Sequence, residues 1–282
     1  MSTPSTLSMS TPPNSNFHLP LYFLPRSKRD AMFHFYQFCR YADDIADELG
    51  PQDPELAKKA LAILRNDVEI AFTKEMEKFS TPMGRKIELL RKQFPVQKEN
   101  LIEIIDGCEM DLVKKRYQTF DELYQYNYRV ASAVGLVSIE IFGYSNSSTK
   151  NYAINLGMAF QLTNILRDLR EDIDRDRIYI PQEDLKKYAY SEEDLRSGKI
   201  NQEFFNLMNF QMDRVANYYQ LADQNRTKED RYNLVVAELM RAIYYKIFQK
   251  IQKNPASVFQ GRVRISHPVK ILLALTTYIK NL

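Results

Sequence analysis

The sequence predicts an all-α protein that folds as one domain. Only 8 of its 282 residues are glycine, and no proline lies between Val96 and Ile180, whereas turn-rich β architectures need frequent glycine and proline. Hydrophobic residues make up 44% of the chain, which is enough for a sizeable core. Apolar residues recur with helical spacing in most segments. Long helices packed around one core are therefore expected.

The helices can be predicted in order along the chain. Pro25 precedes the first long stretch of helically spaced apolar residues, in keeping with the preference for proline at helix starts. Gly50-Pro51 ends this stretch. The small residues Ala131–Gly135 permit a kink, a close approach by a partner helix, or space for a ligand. The Ser-, Thr- and Pro-rich residues 1–15 are predicted to be a disordered tail. Helical periods are predicted over 26–49, 55–78, 82–93, 99–115, 120–142, 150–172, 191–196, 203–226 and 232–252.

Composition excludes several classes of function. The net charge is only +3, from 39 basic and 36 acidic residues, and no basic stretch has the interleaved aromatics of a nucleic-acid groove. Cys39 and Cys108 have neither metal nor redox spacing, as expected of a cytoplasmic protein. Residues 1–16 have neither the basic nor the apolar region of a signal peptide, so a secretory signal is not expected there. The longest apolar run, 271–279, is far shorter than the ~20 residues of a membrane span, so a soluble protein is expected.

Two acidic clusters carry most of the functional information. They are Asp43-Asp44-Ile45-Ala46-Asp47 and Asp168-Leu169-Arg170-Glu171-Asp172. In each, two aspartates stand four residues apart and share one face of a helix, where like charges are destabilising. Both clusters lie near predicted helix ends that favour cations. A hard divalent metal ion would compensate this charge, although either cluster alone is also typical of a solvated helix face.

Neighbouring polar residues favour a phosphate ligand. Arg40 lies three residues before Asp43, and Asn164 and Arg167 lie just before Asp168. Arginine offers a planar fork to phosphate oxygens, and Mg²⁺ shares carboxylates with substrate phosphates. The chain has no phosphate-binding glycine loop, no Ser-His-Asp set and no zinc spacing. Two acidic faces opposed across an apolar interior would suit an enzyme that ionises a prenyl diphosphate, and a non-enzymatic helical scaffold is the competing hypothesis.

Four motifs in order along the chain identify a family. Together they resemble the squalene/phytoene synthases, which join prenyl diphosphates head to head. The resemblance implies the all-α isoprenoid synthase fold, a single domain over residues 16–282 whose helices surround a central apolar cavity. The matching stretches are Phe38–Glu48, Tyr126–Gly135, Gln161–Asp172 and Arg177–Pro181.

The resemblance also implies roles for individual residues. The magnesium-binding aspartates of the family correspond to Asp43, Asp47, Asp168 and Asp172, and Tyr126 corresponds to a catalytic tyrosine. Asn14 and Asn16 stand where many members carry diphosphate-binding serines. Positions that bind the substrate diphosphates in the family correspond here to Arg40, Asn164, Arg167, Tyr36, Tyr244 and Arg262.

The stretches Ala131–Leu136 and Gly261–Ser266 are most similar to bacterial presqualene diphosphate synthases. They imply condensation of two farnesyl diphosphates to presqualene diphosphate, with NADPH needed only if the reaction continues to squalene. Phytoene synthesis from two geranylgeranyl diphosphates is the alternative. An apolar tunnel bordered by Val130, Val134 and Leu136 is expected to hold the prenyl chains. No obligate protein partner is expected.

The C-terminal stretch has two interpretations. Arg262, Arg264 and Lys270 stand beside apolar residues, a pattern that fits ordinary core packing and also fits contact with a membrane surface during product release. A peripheral association of a cytoplasmic enzyme with a membrane is therefore an expectation.

Overall fold

The structure, a computed structural model, describes residues 18–73 and 78–281. Within these ranges the protein is built from helices without a β-strand, as the sequence predicts. The predicted tail, Asn14 and Asn16 lie outside the described residues. The helices of the first half are α1 His18–Leu21, α2 Arg26–Asp44, α3 Pro54–Phe72, α4 Pro82–Gln93, α5 Lys98–Val113, α6 Phe120–Asn127 and α7 Ala133–Phe142. Those of the second half are α8 Ser148–Arg167, α9 Leu169–Asp174, α10 Gln182–Lys187, α11 Glu192–Ser197, α12 Gln202–Asn225, α13 Val235–Lys253 and α14 His267–Asn281.

Side-chain caps explain where several helices begin. The Asp53 carboxylate accepts a hydrogen bond from the Leu56 amide at 3.0 Å, and Pro54 follows at the first helical position. Thr81 and Thr119 cap α4 and α6 in the same way. These residues satisfy amide groups that have no partner within the first turn of a helix. Proline at the start of α3 and α4 costs nothing there, because its missing N–H would be unpaired.

Three predicted helices are interrupted at the positions that carry the motifs. Helix α2 passes into a π-helical turn, Ile45–Leu49, and a second π-helical turn, Tyr128–Ser132, separates α6 from α7. Helix α8 ends at Arg167, and Asp168 has φ −102° and ψ 10° before α9 begins. Short π-helical turns often occur at functional sites because they displace side chains from the regular helical face. The helices predicted over 26–49 and 120–142 are present, each with a π-helical turn inside it, whereas the helix predicted over 150–172 is broken at Asp168.

The core is centred on α8, which packs against α7, α12, α13 and the second π-helical turn. Close approach of helices is possible here because the contacting residues are small. A Cβ atom on Gly157 would lie 2.7 Å from the Cα of Ser132 and 2.8 Å from the carbonyl oxygen of Ala131. Ser132 also donates a hydrogen bond from Oγ to the Ile154 carbonyl at 2.8 Å. Small residues at this contact therefore allow α8 to pack closely against the second π-helical turn, which is one of the roles that the sequence permits for Ala131–Gly135.

Other boundaries differ at the ends of elements. Helix α3 ends at Phe72 and Thr73 has an extended conformation, and residues 74–77 of the predicted helix lie outside the described residues. The predicted tunnel stays a prediction, with Leu136 buried and Val130 and Val134 half-buried. The C-terminal stretch forms α14, which packs on α13 through Ala274. None of the described helices is both long and apolar enough to cross a membrane.

Replacing Gly157 with alanine tests the close packing of α8. Alanine favours a helix over glycine by about 1 kcal/mol, but the new Cβ would overlap backbone atoms of the π-helical turn. We expect a net loss of about 1–3 kcal/mol in the free energy of unfolding, typical of overpacking. Urea unfolding measures it. The control is Asn151→Ala on the exposed side of α8, expected within about 0.5 kcal/mol of the parent. Equal stability of both variants would contradict the packing argument.

Candidate active site

The first acidic cluster lies where α2 passes into its π-helical turn. Arg40 reaches along the helix to Asp43 at 2.9 Å and to Asp44 at 2.7 Å. Burial, followed by the neighbouring charge of Asp47, raises the pKa of Asp43 to about 6, while Arg40 opposes this shift. Asp47 therefore lies close enough to Asp43 for the two charges to repel. The predicted grouping of Arg40, Asp43 and Asp47 is present.

The second cluster lies across the break between α8 and α9. Arg167 forms two contacts with the Asp168 carboxylate, at 2.7 and 2.5 Å, and Arg262 lies 3.2 Å from it. Burial and the charge of Asp168 raise the pKa of Asp172 to about 7. Among the described residues no ion pair or side-chain hydrogen bond involves the Asp172 carboxylate. Asp172 is thus the least compensated of the four predicted metal ligands.

Arg177 links the two clusters, and the sequence analysis did not single it out as a site residue. Its guanidinium donates to Asp47 at 2.9 Å. The same positive charge lowers the pKa values of Asp43, Asp111 and Asp172, against the larger effect of burial. One arginine therefore acts on carboxylates from both acidic motifs. Its only signal in the sequence was its place in the Arg177–Pro181 motif.

The loop that carries Arg177 is held by a distant segment of the chain. Asp176 has a positive φ of 58°, a conformation that aspartate tolerates better than most residues. Hydrogen bonds from Arg116 and Arg196 hold its carboxylate and keep its pKa well below the usual range. The Ile178 amide donates to the Lys115 carbonyl at 3.0 Å. Lys115 and Arg116 thereby hold the backbone on both sides of Arg177 in place.

Tyr126, the predicted catalytic tyrosine, belongs to a buried group with Asp111 and Tyr179. Its hydroxyl donates to Oδ2 of Asp111 at 2.9 Å, and the Tyr179 hydroxyl donates to Oδ1 at 3.1 Å. The two rings stack with centroids 5.3 Å apart. Burial raises the pKa of Asp111 to about 6, while Arg177 and both phenols oppose the shift. Asp111 is a further site residue that sequence reasoning missed, because nothing in its α5 sequence marks it.

A third tyrosine completes this aromatic group without sharing its hydrogen bonds. The Tyr117 ring lies 5.5 Å from Tyr126 and 5.9 Å from Tyr179, measured between centroids. Its hydroxyl is buried and has no hydrogen-bond partner. A buried hydroxyl without a partner costs free energy. Tyr117 therefore contributes its ring to the packing, whereas Tyr126 and Tyr179 also contribute their hydroxyls to Asp111.

The remaining predicted residues surround the second cluster, except for one. The Arg167 guanidinium carbon lies 6.0 Å from the centroid of Tyr244, whose ring stacks on Phe160 at 4.4 Å. Asn164 donates from Nδ2 to Gln161 at 3.1 Å, and its Oδ1 is buried without a partner. Tyr36 lies on α2 one turn before Arg40 and is half-buried. The roles of all these residues in binding stay predictions.

The carboxylate and amide oxygens of the site fit a hard divalent cation whose remaining coordination positions are filled by water and substrate phosphates. Within residues 18–73 and 78–281, no three His, Cys, Asp or Glu side chains converge closely enough to hold a metal by themselves. Mg²⁺ does not require such a cage, because one or two carboxylates, water and substrate phosphates complete its shell. The Asp172 carboxylate and the unpaired Oδ1 of Asn164 are oxygen donors of the kind that it prefers. Asp43, Asp47, Asp168 and Asp172 could each supply such a donor.

Comparison with known proteins identifies the family. The sequence profile described as squalene/phytoene synthase matches residues 11–268. The chain belongs to the squalene/phytoene synthase family. Its enzymes are prenyltransferases that condense prenyl diphosphates head to head. The fold and family predicted from the four motifs are confirmed.

The similar proteins include phytoene, dehydrosqualene and squalene synthases. A 15-cis-phytoene synthase of Synechococcus elongatus is 35% identical over 88% of this chain and 83% of its own length. Phytoene synthase 2 of Solanum lycopersicum is 32% identical over 94% of this chain and 86% of its own. Among solved structures, a dehydrosqualene synthase superposes with a TM-score of 0.81 at 24% identity, covering 96% of this chain and 93% of that one. A squalene synthase of Alicyclobacillus acidocaldarius superposes with a TM-score of 0.76 at 23% identity, covering 84% of this chain and 88% of that one. These two structures show the shared fold.

Asp172→Asn is expected to stabilise the metal-free protein at pH 7.5 and to have little effect at pH 4. The pKa of this carboxyl is raised from 3.8 to about 7 in the folded chain. Well below pH 3.8 it is protonated in both states, and the unfolded chain begins to lose the proton as pH approaches that value. As pH rises towards 7 the unfolded chain loses its proton more readily, so the carboxyl increasingly disfavours folding. An increase of about 1 kcal/mol in the free energy of unfolding would raise the Tm of the variant by roughly 2–4 °C.

Thermal unfolding in EDTA across this pH range measures the effect. The matched control is Asp174→Asn, two residues away on the same helix, where the exposed carboxylate pairs with Arg170. That variant should not gain stability between pH 4 and pH 7.5. A stability difference for Asp172→Asn that does not change with pH would contradict the assigned cause.

Proposed function

We propose that this enzyme condenses two geranylgeranyl diphosphates to phytoene. The observation that carries the proposal is the 35% identity to a 15-cis-phytoene synthase over 88% of the chain. The squalene-type structures have identities below 25% and support only the fold. This favours the alternative stated from the sequence over its main expectation of two farnesyl diphosphates. Condensation of farnesyl diphosphate to presqualene diphosphate remains the competing hypothesis.

The two acidic clusters would hold the two diphosphates. Arg40 stands at the first cluster, and Arg167 and Arg262 stand at the second. Each guanidinium can exchange a carboxylate oxygen for a phosphate oxygen, since both ligands match its planar fork. Mg²⁺ held by Asp43, Asp47, Asp168 and Asp172 would neutralise the departing diphosphates. Arg177, between the clusters, would keep the aspartates close together before substrate binds.

The chemistry requires a proton acceptor near the prenyl chains. Coupling of two allylic donors through a cyclopropylcarbinyl diphosphate, followed by formation of a hydrocarbon, releases two diphosphates and two protons. This balance consumes no reductant, and the relatives give no support for NADPH as a cofactor. NADPH would be needed only if the final carbocation were quenched by hydride instead of losing a proton, as in a reaction that continues to squalene.

The Asp111–Tyr126 pair could accept such a proton. Burial raises the pKa of Tyr126 well above its ordinary value, so the phenol stays protonated and offers no phenolate as a base. Its hydroxyl donates to Asp111 at 2.9 Å, however, and Tyr126 can take a proton on oxygen as its own proton passes to that carboxylate. With a pKa of about 6, Asp111 is largely ionised at neutral pH and able to accept it.

Product analysis tests the proposed function. With Mg²⁺ and without NADPH, geranylgeranyl diphosphate should yield a forty-carbon hydrocarbon faster than farnesyl diphosphate yields any coupled product. Asp168→Asn should lower turnover at least ~100-fold, because electrostatic stabilisation of the leaving group usually makes one of the largest contributions to catalysis. Exclusive use of farnesyl diphosphate would overturn the donor assignment. Absence of diphosphate release from either donor would favour the scaffold hypothesis.

Tyr126→Phe and Asp111→Asn should each lower kcat at least ~10-fold if the pair moves a proton. The double variant should be no slower than the worse single variant, since both changes disable one unit. Tyr117→Phe is the matched control, because it removes a hydroxyl without a partner from the same aromatic group. Its turnover should stay near that of the parent. Parental rates for Tyr126→Phe with an inactive Tyr126→Ala would mean that only the ring matters.

We also propose that the hydrocarbon product leaves towards a lipid phase. A long hydrocarbon without a polar group has very low solubility in water, because its whole surface is apolar. This accords with the peripheral membrane contact expected from the sequence.

A further inference from the structure

The loop before α14 is held against the second acidic cluster. The Arg262 guanidinium lies 3.2 Å from the Asp168 carboxylate, and the Val263 amide donates to the Arg167 carbonyl at 3.4 Å. From the other side, Lys250 of α13 donates to a carbonyl of the same loop at 2.6 Å. Because α14 begins only four residues after Val263, its first turn stays near the end of α8.

Lys270 lies in this first turn and lacks a counter-ion. The residue is half-buried, and among the described residues no ion pair or side-chain hydrogen bond involves its ammonium group. Burial, followed by the charges of Arg167, Arg262 and Arg264, lowers its pKa, and no carboxylate opposes this effect. The N-terminal end of a helix also carries partial positive charge, which disfavours a cation there. Lys270 is therefore a cation in a place that favours an anion.

The cations of this region outnumber the carboxylates that pair with them. Arg167 and Arg262 share the carboxylate of Asp168 at 2.5 and 3.2 Å, and Lys270 has no share in it. The same cluster leaves the carboxylate of Asp172 on α9 uncompensated. A metal ion alone would satisfy only that carboxylate. A metal-bound diphosphate would satisfy both groups, because its oxygens ligate the metal and also accept hydrogen bonds from an ammonium group.

We propose that Lys270 binds the diphosphate group of the prenyl donor held at the second acidic cluster, together with Arg167 and Arg262. Lysine meets phosphate as a compact charge with three rotatable N–H donors, whereas each arginine presents a fixed fork. The inference rests on the proposed function for the presence of a diphosphate, and it does not depend on the length of the prenyl chain. It gives Lys270 a binding role, where the sequence suggested only core packing or contact with a membrane.

Calorimetric titration of the full chain with inorganic diphosphate and Mg²⁺, without prenyl donor, tests this role. Lys270→Gln should weaken binding about 10- to 100-fold, because it removes a charge-assisted hydrogen bond from a partly desolvated site. Lys270→Arg keeps the charge and should retain more of the affinity than the glutamine variant. The matched control is Lys280→Gln at the exposed end of the same helix, which should bind diphosphate as the parent does.

Thermal unfolding and turnover separate binding from a structural role. Without an anion, Lys270→Gln should have a Tm equal to or above that of the parent, since the change removes a repelled cation. With Mg²⁺ and diphosphate, the Tm of this variant should rise less than that of the parent. The KM for the prenyl donor should increase by a larger factor than kcat falls, because the contact is already present in the bound substrate.

Three results would each overturn the assignment: unchanged diphosphate affinity in Lys270→Gln, an equal loss in Lys280→Gln, or a lower Tm of Lys270→Gln without the anion. Absence of diphosphate binding by the parent would overturn it as well. The donor is tested separately. An enzyme that couples only farnesyl diphosphate would contradict phytoene synthesis and leave the Lys270 result in place. Phytoene formation together with parental diphosphate affinity in Lys270→Gln would overturn the lysine alone.

Discussion

The candidate active site depends on a group of buried carboxylates whose negative charge is only partly compensated by arginines. Carboxylates from two distant motifs meet in a partly desolvated place, and burial raises the pKa values of Asp43, Asp111 and Asp172. Arg177 opposes all three shifts and forms an ion pair with Asp47 at 2.9 Å. Each carboxylate also has other partners or lies partly in solvent, since Arg175 lies 3.7 Å from Asp47 and Arg40 lies 2.9 Å from Asp43. Arg177 is thus the arginine whose charge acts on carboxylates from both clusters.

The position of Arg177 in turn depends on contacts far along the chain. Its loop is tied to the segment after α5 by the Ile178–Lys115 hydrogen bond and by Arg116, which binds Asp176. The segment also supplies Tyr117 to the aromatic group around Tyr126. Since α5 carries Asp111, the same short region of chain fixes both Arg177 between the clusters and the carboxylate beside the tyrosines. The residues proposed to bind the diphosphates and to move a proton therefore share one structural support.

Incomplete compensation has a functional meaning. A site in which every carboxylate had a protein partner would gain stability but would bind cations weakly, because binding would first have to break those pairs. Asp172 has no such partner among the described residues, and the Oδ1 of Asn164 is buried without one. These groups lower the stability of the metal-free protein, and in the proposed function they would bind a cation or a substrate. Such a ligand would restore the stability that is lost at this place.

The sequence alone determined the fold class, the family and the local part of the site, because helical periodicity and contacts such as Arg40–Asp43 follow from neighbours three or four residues apart. Tertiary structure decided the rest. The two π-helical turns have no signal in the helical periodicity, and both lie where other helices pack against them. Asp111 and Arg177 are ordinary residues in their own segments and become site residues only when folding brings α5 and the loop after α9 to the same place. Charge interactions and hydrogen bonds depend on distance in space, and the sequence specifies that distance only through the complete fold.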